Sequence, residues 1–447
     1  MDSQKLLNQA VNFHRNGELK DAIELYKKIL KEKPNAYAAA NNLALIYNFQ
    51  KKYLESFTLL KNILKAQPNN LRAITNYANS LTGLNRYDEA IYNYKKALNL
   101  KPEFVDAIGN LANCQVMLNQ FVDAFNNFQK VFKIDPNNIE ARINYGLLQL
   151  RHGNFKEGWK NYEWRKKKMI NRNQHIKKQD QEWFGKDILK DKTIFVYHEQ
   201  GLGDHIQYCR YLPLIKRMGA KIILDTPKQL KNMIASMDID YTHIDDLKKI
   251  QFDYYCSIVS LPFAFNTTID TIPNKIPYLF TPKDKKIFWK EKLKNNNTKI
   301  GLKWSGNSKY QNDKNRSTSL EKFKPLFELP YEFHSLHIEY SEEDKVIMKD
   351  ISNLFCHKDE ILGLDNTAGL IDAMDLVISV DTGIVQLTGA LGKTFWNLLP
   401  FSSDQRWLLN RSDSPWFPTA KLYRQSKIDD WDAVIQNIKK DLLLIKK

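Results

Sequence analysis

The chain has 447 residues, more than a single hydrophobic core usually serves, so two or three domains are expected. Hydrophobic residues make up 43% and aromatic residues 12%, which excludes a largely disordered chain. The net charge of +16 comes from lysines and arginines spread along the whole sequence. That spread is typical of a solvated surface, so we expect no specific nucleic-acid partner.

Signals for export or membrane insertion are missing from the sequence. The first residues lack the basic head and apolar run of a signal peptide. We find no uninterrupted apolar stretch of about 18 residues, so we expect no membrane span. The cysteines form no CxxC pair, which argues against a zinc site or a disulfide framework. We therefore expect a cytoplasmic protein.

The first part of the chain repeats with a period of 34 residues, in four registers that stay in phase. A proline recurs where a second helix should end, small residues recur where two helices should meet, and a large residue recurs between neighbouring pairs. The registers are Pro34, Pro68, Pro102 and Pro136; Ala10, Ala44, Ala78, Ala112 and Gly146; Ala22, Ser56, Ala90, Ala124 and Gly158; and Leu19, Tyr53, Tyr87, Phe121 and Phe155. The pattern resembles the tetratricopeptide repeat. It predicts an α-solenoid over residues 1–165.

A fifth register consists of asparagines on the first helix of each pair. Its members are Asn8, Asn42, Asn76, Asn110 and Asn144. A carboxamide both donates and accepts, so a ladder of them can hold the backbone of an extended polypeptide. The repeats of O-linked N-acetylglucosamine transferases carry a similar ladder, which implies a peptide groove. The alternative is that asparagine is simply common at this repeat position.

After a polar linker at residues 166–182, the pattern changes to short β-rich runs separated by helical segments. This alternation is typical of parallel sheets covered on both faces. The predicted strands are residues 193–199, 221–225 and 252–259, then 299–304, 332–337, 375–381 and 393–399. We predict an α + α/β protein: the solenoid, then two doubly wound parallel-sheet lobes at residues 183–290 and 291–447. Two such lobes facing across a cleft form the arrangement called GT-B, with the ligand at the strand ends.

The first candidate loop, Glu199–Asp204, follows a strand and opens a helix. Its Gly201-x-Gly203 turn would suit a dinucleotide, but the third glycine of that fingerprint falls on Ile206, which argues against a dehydrogenase. The turn exposes Asp204 at a helix start, where the helix dipole favours an ionised carboxylate by about 0.3–1 kcal/mol. Asp204 is therefore the candidate general base, with Glu199 and Gln200 among the residues that line the cleft.

Two loops of the second lobe are candidates for binding a diphosphate. Ser305, Gly306 and Asn307 follow a strand, with Lys309 and Arg316 to supply positive charge. Asp381, Thr382 and Gly383 lead from a strand into a helix, whose free N–H groups suit an anion. Alternatively, Asp381 and Thr382 only cap that helix. Asp404 and Arg406, in a loop after the last predicted strand, are expected to line the same cleft.

The region from about Trp183 to Trp431 resembles the glycosyltransferase-like domain that bacteria fuse to tetratricopeptide repeats. The matching runs are EQGLGD, RYLPLIKRMGA, SLPFAF, VDTGIVQLTGALG, DQRWLLNRSDSPW and LYRQ. More distantly it is similar to the ADP-heptose–lipopolysaccharide heptosyltransferases. That resemblance implies that Asp204 is the base and that the segment from Asp381 to Gly383 binds the donor diphosphate. The family usually has histidine where this chain has Gln386, which cannot carry charge.

These observations lead to two competing functional predictions. One is a metal-independent, inverting glycosyltransferase that takes a nucleotide-sugar as substrate, needs no cofactor, and uses its repeats to recruit a polypeptide or a surface-assembly partner. The other is a scaffold that has lost catalysis and only organises other proteins, as Gln386 suggests.

Overall fold

The computed structural model describes residues 3–168, 181–237, 239, 241–243, 251–307, 310 and 312–445. The chain divides into two compact units, residues 1–145 and residues 146–447. Most of the predicted linker, residues 169–180, lies outside the described residues.

The first unit is a run of antiparallel helix pairs. Helices α1, α3, α5, α7 and α9 begin 34 residues apart, and so do α2, α4, α6 and α8. Each proline of the 34-residue register lies two residues beyond a second helix, as expected of a residue that cannot continue it. The helices are α1 (Ser3–Asn16), α2 (Leu19–Glu32), α3 (Tyr37–Phe49), α4 (Tyr53–Ala66), α5 (Leu71–Gly83), α6 (Tyr87–Leu100), α7 (Val105–Met117), α8 (Phe121–Ile134) and α9 (Ile139–Arg151).

The turn inside each pair contains one residue with left-handed backbone, and these residues are again 34 apart. They are Gly17, Lys51, Asn85, Asn119 and Gly153, with φ between 57° and 81°. Glycine and asparagine tolerate this conformation better than other residues. Four alanines at the contact between paired helices, Ala10, Ala44, Ala78 and Ala112, are completely buried. The tetratricopeptide solenoid predicted from the sequence is therefore confirmed.

The second unit contains two sheets, and every strand pair in them is parallel. The first sheet has the order β3-β2-β1-β4 and the second the order β10-β9-β8-β5-β6-β7. The strands are β1 (Thr193–Tyr197), β2 (Lys221–Leu224), β3 (Tyr241–His243), β4 (Tyr254–Ser257), β5 (Lys299–Lys303), β6 (Glu332–Ser335), β7 (Leu354–Cys356), β8 (Leu376–Val380), β9 (Phe395–Leu399) and β10 (Ala420–Arg424). The predicted α + α/β class is confirmed, with β3, β7 and β10 in addition to the predicted strands.

Helices cover both sheets, and the fifth repeat shares their core. Leu150, Phe155 and Trp159 belong to one apolar cluster with residues of both lobes, and the Phe155 ring stacks on Trp416 at 6.3 Å. The helices are α10 (Phe155–Tyr162), α11 (Leu202–Tyr208), α12 (Leu212–Arg217), α13 (Lys231–Ala235), α14 (Leu261–Ala264), α15 (Lys283–Lys292), α16 (Asp313–Arg316), α17 (Leu320–Phe323), α18 (Glu342–Met348), α19 (Leu364–Asp372), α20 (Gly383–Ala390) and α21 (Trp431–Leu443). Within the described part of the chain, no helix has the length and apolarity to cross a bilayer.

Candidate functional site

The candidate cleft lies at the carboxyl ends of strands from both sheets of the second unit. Asp204 is on α11, which follows β1. Arg316, Asp381 and Arg406 follow β5, β8 and β9, which are neighbours in the second sheet. Because neighbouring parallel strands end at the same edge, these side chains can meet although they are far apart in sequence.

Asp204 is held by one contact from each lobe. Its Oδ2 accepts from the backbone N–H of Gly201 at 3.1 Å, which closes the first turn of α11. Its Oδ1 accepts from Nη2 of Arg406 at 2.9 Å. An ionised carboxylate has about four lone-pair sites, so two remain for a substrate hydroxyl. The side chain is 25% exposed, which leaves it accessible.

Arg406 bridges two carboxylates. Besides Asp204, it binds Asp404. Oδ1 of Asp404 accepts from Nε of Arg406 at 2.8 Å and from the backbone N–H of Arg406 at 3.0 Å. Burial alone would lower the pKa of Arg406, but Asp404 and Asp204 outweigh it and raise the pKa well above the usual value. The guanidinium is thus a fixed positive charge between the lobes.

The Asp381–Gly383 segment joins β8 to α20 beside Asp204. Thr382 caps α20, because its Oγ1 accepts from the backbone N–H of Ile384 at 3.3 Å. This is the capping role that the sequence left as an alternative, and it does not exclude anion binding by the same turn. A Cβ placed on Gly203 would lie 3.5 Å from Gly383 Cα and from Gln386 Cγ, so α11 and α20 are in direct contact. A Cβ placed on Gly383 would meet no atom within 4 Å. The start of α20 therefore faces open space.

Arg316 ties the Ser305–Asn307 loop to this segment. Its Nη1 donates to the backbone carbonyl of Asp381 at 2.8 Å, and its Nε donates to Asp313 at 3.0 Å. A Cβ on Gly306 would lie 2.6 Å from Nη2 of Arg316, so only glycine lets the loop approach the guanidinium without displacing it. Asn307 is exposed at the end of the loop. The predicted phosphate ligand Lys309 lies outside the described residues.

Asp381, directly after β8, lies among the charged side chains of the cleft. Burial raises the pKa of Asp381 to about 6, and the neighbouring Asp404 adds to the rise, while Arg406 opposes it. At neutral pH the group is therefore mostly ionised, and it takes up a proton in mildly acidic solution.

Gln386 does not face the cleft as an open ligand. It is 1% exposed, and neither Oε1 nor Nε2 has a hydrogen-bond partner among the described residues. Buried amides without partners are rare. The position is thus close to Gly203 but enclosed by protein.

Glu199 is turned away from the cleft by a partner upstream in the chain. Both of its oxygens accept from Arg165, at 2.6 Å and 2.9 Å, and its side chain is 2% exposed. Arg165 also donates to Glu163, to Ser260 and to the carbonyl oxygen of Tyr162, so all of its N–H groups are used. The cluster fixes the loop before α11, in which Gln200 is exposed and has a left-handed backbone with φ of 68°.

Two further arginines support the cleft and were not singled out from the sequence. Arg424 donates to Ser403 Oγ at 2.7 Å and to the carbonyl oxygen of Trp407 at 2.6 Å, so it holds both ends of the turn that carries Arg406. Arg151, at the end of α9, donates to Ser402 Oγ at 3.0 Å. In the sequence, Arg424 was indicated only by its place in the LYRQ run.

In the first unit, four of the five ladder asparagines line one cavity of about 590 Å³: Asn42, Asn76, Asn110 and Asn144. All four are half-buried, and three of them are hydrogen-bonded to the preceding repeat. Asn76 donates to Asn41 at 3.1 Å, Asn110 to Asn79 at 3.0 Å, and Asn144 to Asn113 at 3.0 Å. Asn8 does not line this cavity. It is exposed and accepts from Gln4.

Each bonded amide keeps a second N–H and its carbonyl oxygen for another partner. The cavity also contains Arg72 and Asp106, so it carries charges of both signs. Among the residues that the structure describes, no group of three or more histidine, cysteine, aspartate or glutamate side chains is arranged to hold a metal ion.

Two family models match parts of the repeat array. Residues 78–118 match the family model described as TPR repeat, and residues 15–97 match the model for subunit 3 of the anaphase-promoting complex, or cyclosome. Protein FlbA of Caulobacter vibrioides is 22% identical over 284 residues, which are 57% of this chain and 47% of that protein. The chain thus spans about half the length of this curated relative.

Two solved structures are similar to about a third of the chain. A MamA fragment from Desulfovibrio magneticus RS-1 is 22% identical, with a TM-score of 0.29, over 31% of this chain and 77% of that one. A tetratricopeptide repeat protein from Parabacteroides merdae is 22% identical, with a TM-score of 0.32, over 39% of this chain and 68% of that one. The assignment of the repeats rests on the phased residues and helix pairs described above, together with the TPR family model. The chain therefore contains a tetratricopeptide-repeat solenoid and continues into an α/β unit with two parallel sheets.

Proposed function

We propose that the second unit is a glycosyltransferase that moves a sugar from a nucleotide-activated donor to an acceptor hydroxyl. The observation that carries the proposal is the direct approach of Gly203, the residue before Asp204, to the open start of α20, with Arg406 bonded to Asp204. A carboxylate, a fixed cation and a helix start meeting at one strand-end cleft are the groups that such a transfer requires.

The donor would bind mainly to the second lobe, residues 291–447. Its diphosphate would lie at the start of α20, where Gly383 leaves space, and near the Ser305–Asn307 loop. Arg316 and Arg406 would supply positive charge to the leaving nucleoside diphosphate. Charged groups fixed in a partly dry cleft stabilise such a leaving group because they need no reorientation during the reaction.

The acceptor would enter from the first lobe, residues 183–290. Asp204 would remove the hydroxyl proton as the oxygen attacks the anomeric carbon and the bond to the diphosphate breaks. A single displacement of this kind inverts the anomeric carbon. The base would contribute about 10²–10⁴-fold to the rate, and correct positioning of the two substrates as much or more.

The repeats would recruit a polypeptide. Four asparagines on successive first helices line one cavity, and each bonded amide still has donor and acceptor capacity toward its interior. Regular spacing with little side-chain specificity suits the repeating backbone of an extended peptide. Cysteines that form no disulfide fit action in the cytoplasm.

A non-catalytic scaffold is the second candidate, and one observation favours it. Gln386 is buried and without a partner instead of presenting a charged group to the donor. In such a protein the asparagine groove would retain its function, and the cleft would either sense a nucleotide or be vestigial.

Ligand-dependent unfolding tests the donor site. All tryptophans of the chain, residues 159–431, are in the second unit, so their fluorescence follows that unit alone. A nucleotide-sugar at 100 times its Kd should stabilise the unit by about 2.7 kcal/mol. Gly383→Val should abolish this shift, and Gly109→Ala, in the repeats, should preserve it. If no nucleoside diphosphate or nucleotide-sugar shifts the unfolding of the folded wild type, the scaffold is the better proposal.

Transfer and peptide binding are tested separately. Asp204→Asn should keep the donor-induced shift and lose transfer by about 10²–10⁴-fold, because only proton removal is affected. Changing Asn42, Asn76 and Asn110 together to alanine should abolish binding of labelled, extended peptides of about 15 residues, which span roughly 50 Å. The matched control is Asn8→Ala, since Asn8 belongs to the same register but does not line the cavity.

A further inference from the structure

A lysine–histidine pair at the end of β5 belongs to neither proposed function. The last residue of β5 is Lys303, and its Nζ lies 3.3 Å from Nδ1 of His337. The other ring nitrogen of His337, Nε2, accepts from the backbone N–H of Trp304 at 3.0 Å. His337 is 3% exposed, and its ring lies against the Trp304 ring at 3.8 Å.

These two contacts determine where the protons are. A neutral imidazole has one N–H and one acceptor nitrogen. Because Nε2 accepts from Trp304, the ring proton must be on Nδ1, and Nδ1 then donates to Lys303. An ammonium group has no lone pair to accept that proton, whereas a neutral amine has one. The contacts are thus satisfied together only when Lys303 is uncharged.

Protonation of His337 to an imidazolium would not satisfy both contacts either. A charged His337 would direct an N–H at the backbone N–H of Trp304. Burial also lowers the pKa of His337 well below its usual value. The histidine is therefore a neutral donor to the amine.

The charges around Lys303 point the same way. Burial lowers the pKa of Lys303 to about 8, Arg316 lowers it further, and Asp313 and Glu339 oppose the change. The opposition from Asp313 is limited, because Asp313 already pairs with Nε of Arg316 at 3.0 Å. Lys303 nevertheless remains partly exposed, so a small molecule can reach it.

Lys299, on the same strand, shows the contrasting arrangement. Its Nζ donates to the carbonyl oxygen and Oδ1 of Asn295 and to the carbonyl oxygen of Asn297, at 2.8–3.2 Å. Three acceptors suit the three protons of an ammonium group. The strand therefore surrounds one lysine with three acceptors and places the other among groups that favour a free amine.

We propose that Lys303 supplies a free, nucleophilic amine near neutral pH and is a site of covalent modification by small aldehydes and ketones. The amine lone pair, released from its hydrogen bond with Nδ1 of His337, attacks the carbonyl carbon and forms a C–N bond. The carbonyl oxygen then leaves as water with the two amine protons, and an imine remains. Lys303 is not among the groups proposed to act in sugar transfer, so the two proposals can fail independently.

Reductive methylation of the full-length wild type tests the proposal. Formaldehyde forms the imine, cyanoborohydride reduces it, and peptide mapping by mass spectrometry measures the rate at each lysine between pH 6 and pH 10. At pH 7 the free-amine fraction of Lys303 should exceed that of an ordinary lysine by about 300-fold, given the two pKa values of about 8 and 10.5. Its rate should level off above pH 8, and the exposed Lys322 provides the profile for comparison. A Lys303 that stays unlabelled, or that follows the profile of Lys322, overturns the proposal.

Two substitutions at His337 test whether this residue keeps the Lys303 amine reactive. In His337→Gln the side-chain oxygen can accept from Trp304 and the amide N–H can face Lys303, so the high rate should persist. In His337→Glu a carboxylate faces Lys303 and favours the ammonium form, so the rate at pH 7 should fall by at least about tenfold. Equal rates in the two folded variants would show that His337 does not control the amine.

Discussion

Replacing Arg165 with methionine should destabilise the second unit strongly. Arg165 is buried and joins the end of the fifth repeat to the loop before α11 through Glu163 and Glu199. Methionine retains much of the side-chain length but none of the N–H donors. The two carboxylates, 12% and 2% exposed, would then lose their main partner.

The expected cost follows from what is left behind. Removing one partner of a buried ion pair costs about 3–5 kcal/mol, because the remaining charge is buried without compensation. The exposed pair between Lys322 and Asp432, with side chains 40% and 70% exposed, provides the matched control. For Lys322→Met we expect about 0–1 kcal/mol.

The dependence on pH distinguishes this cause from a packing defect. In the wild type, burial alone would raise the pKa of Glu199, but Arg165 and its hydrogen bonds outweigh this and lower it. A lowered pKa in the folded state gives stability above pH 4.5 that is lost as the pH falls through that lowered value. Without Arg165, burial and Glu163 raise the pKa against the hydrogen bond from Ser257, so folding takes up a proton. The penalty should therefore shrink between pH 7.5 and pH 5.

Urea unfolding followed by tryptophan fluorescence measures these effects, since every tryptophan is in the second unit. We expect the midpoint of Arg165→Met to fall clearly at pH 7.5 and to approach the wild-type midpoint at pH 5. Adding Glu199→Gln should recover part of the loss at pH 7.5. A variant within about 1 kcal/mol of the wild type, or a penalty that grows toward pH 5, would refute the reasoning.

Three glycine substitutions give further expectations. Gly383→Ala should leave the urea midpoint of the second unit unchanged, because its Cβ meets no atom within 4 Å, and a loss of stability would contradict the open space at α20. Gly389→Ala, on the same helix, should cost about 1–3 kcal/mol by the same measurement, because its Cβ would lie 2.2 Å from the Phe417 ring. Gly83→Ala should lower the thermal midpoint of the repeats by circular dichroism, because its Cβ would lie 2.3 Å from the Tyr53 ring. Tryptophan fluorescence should not change in that variant, and a change there would show that the units do not unfold separately.

The repeats and most strands could be predicted because their signals are local. A 34-residue period fixes helix starts to the residue, and runs such as Phe395–Leu399 are buried throughout, so their apolar character is continuous. The strands that the sequence did not reveal, β3, β7 and β10, are all at sheet edges. Of these, β3 and β7 have only three residues each, and β10 contains the exposed Lys421, so their sequences carry a weaker pattern.

The site was only partly predictable, for a different reason. Asp204 and the Asp381–Gly383 segment stand in motifs whose chain position indicates a strand end. Glu199 stands in the same motif, but its partner Arg165 is 34 residues upstream in a segment that reads as the edge of a linker. The Lys303–His337 pair depends on which ring nitrogen faces which group, and spacing along the chain does not encode that. Contacts between side chains that are distant in sequence become known only from the structure.

The hydrogen bonds between the side-chain amides of successive repeats have a consequence for any chain that occupies the groove. A peptide that bonds to Asn76, Asn110 or Asn144 joins an existing network, so each hydrogen bond adds only about 0.5–1.5 kcal/mol net. Affinity would then grow with the number of repeats covered, and short peptides would hardly be retained. Each repeat would release its segment of the peptide separately. A long partner would therefore bind tightly and still dissociate through a series of small steps.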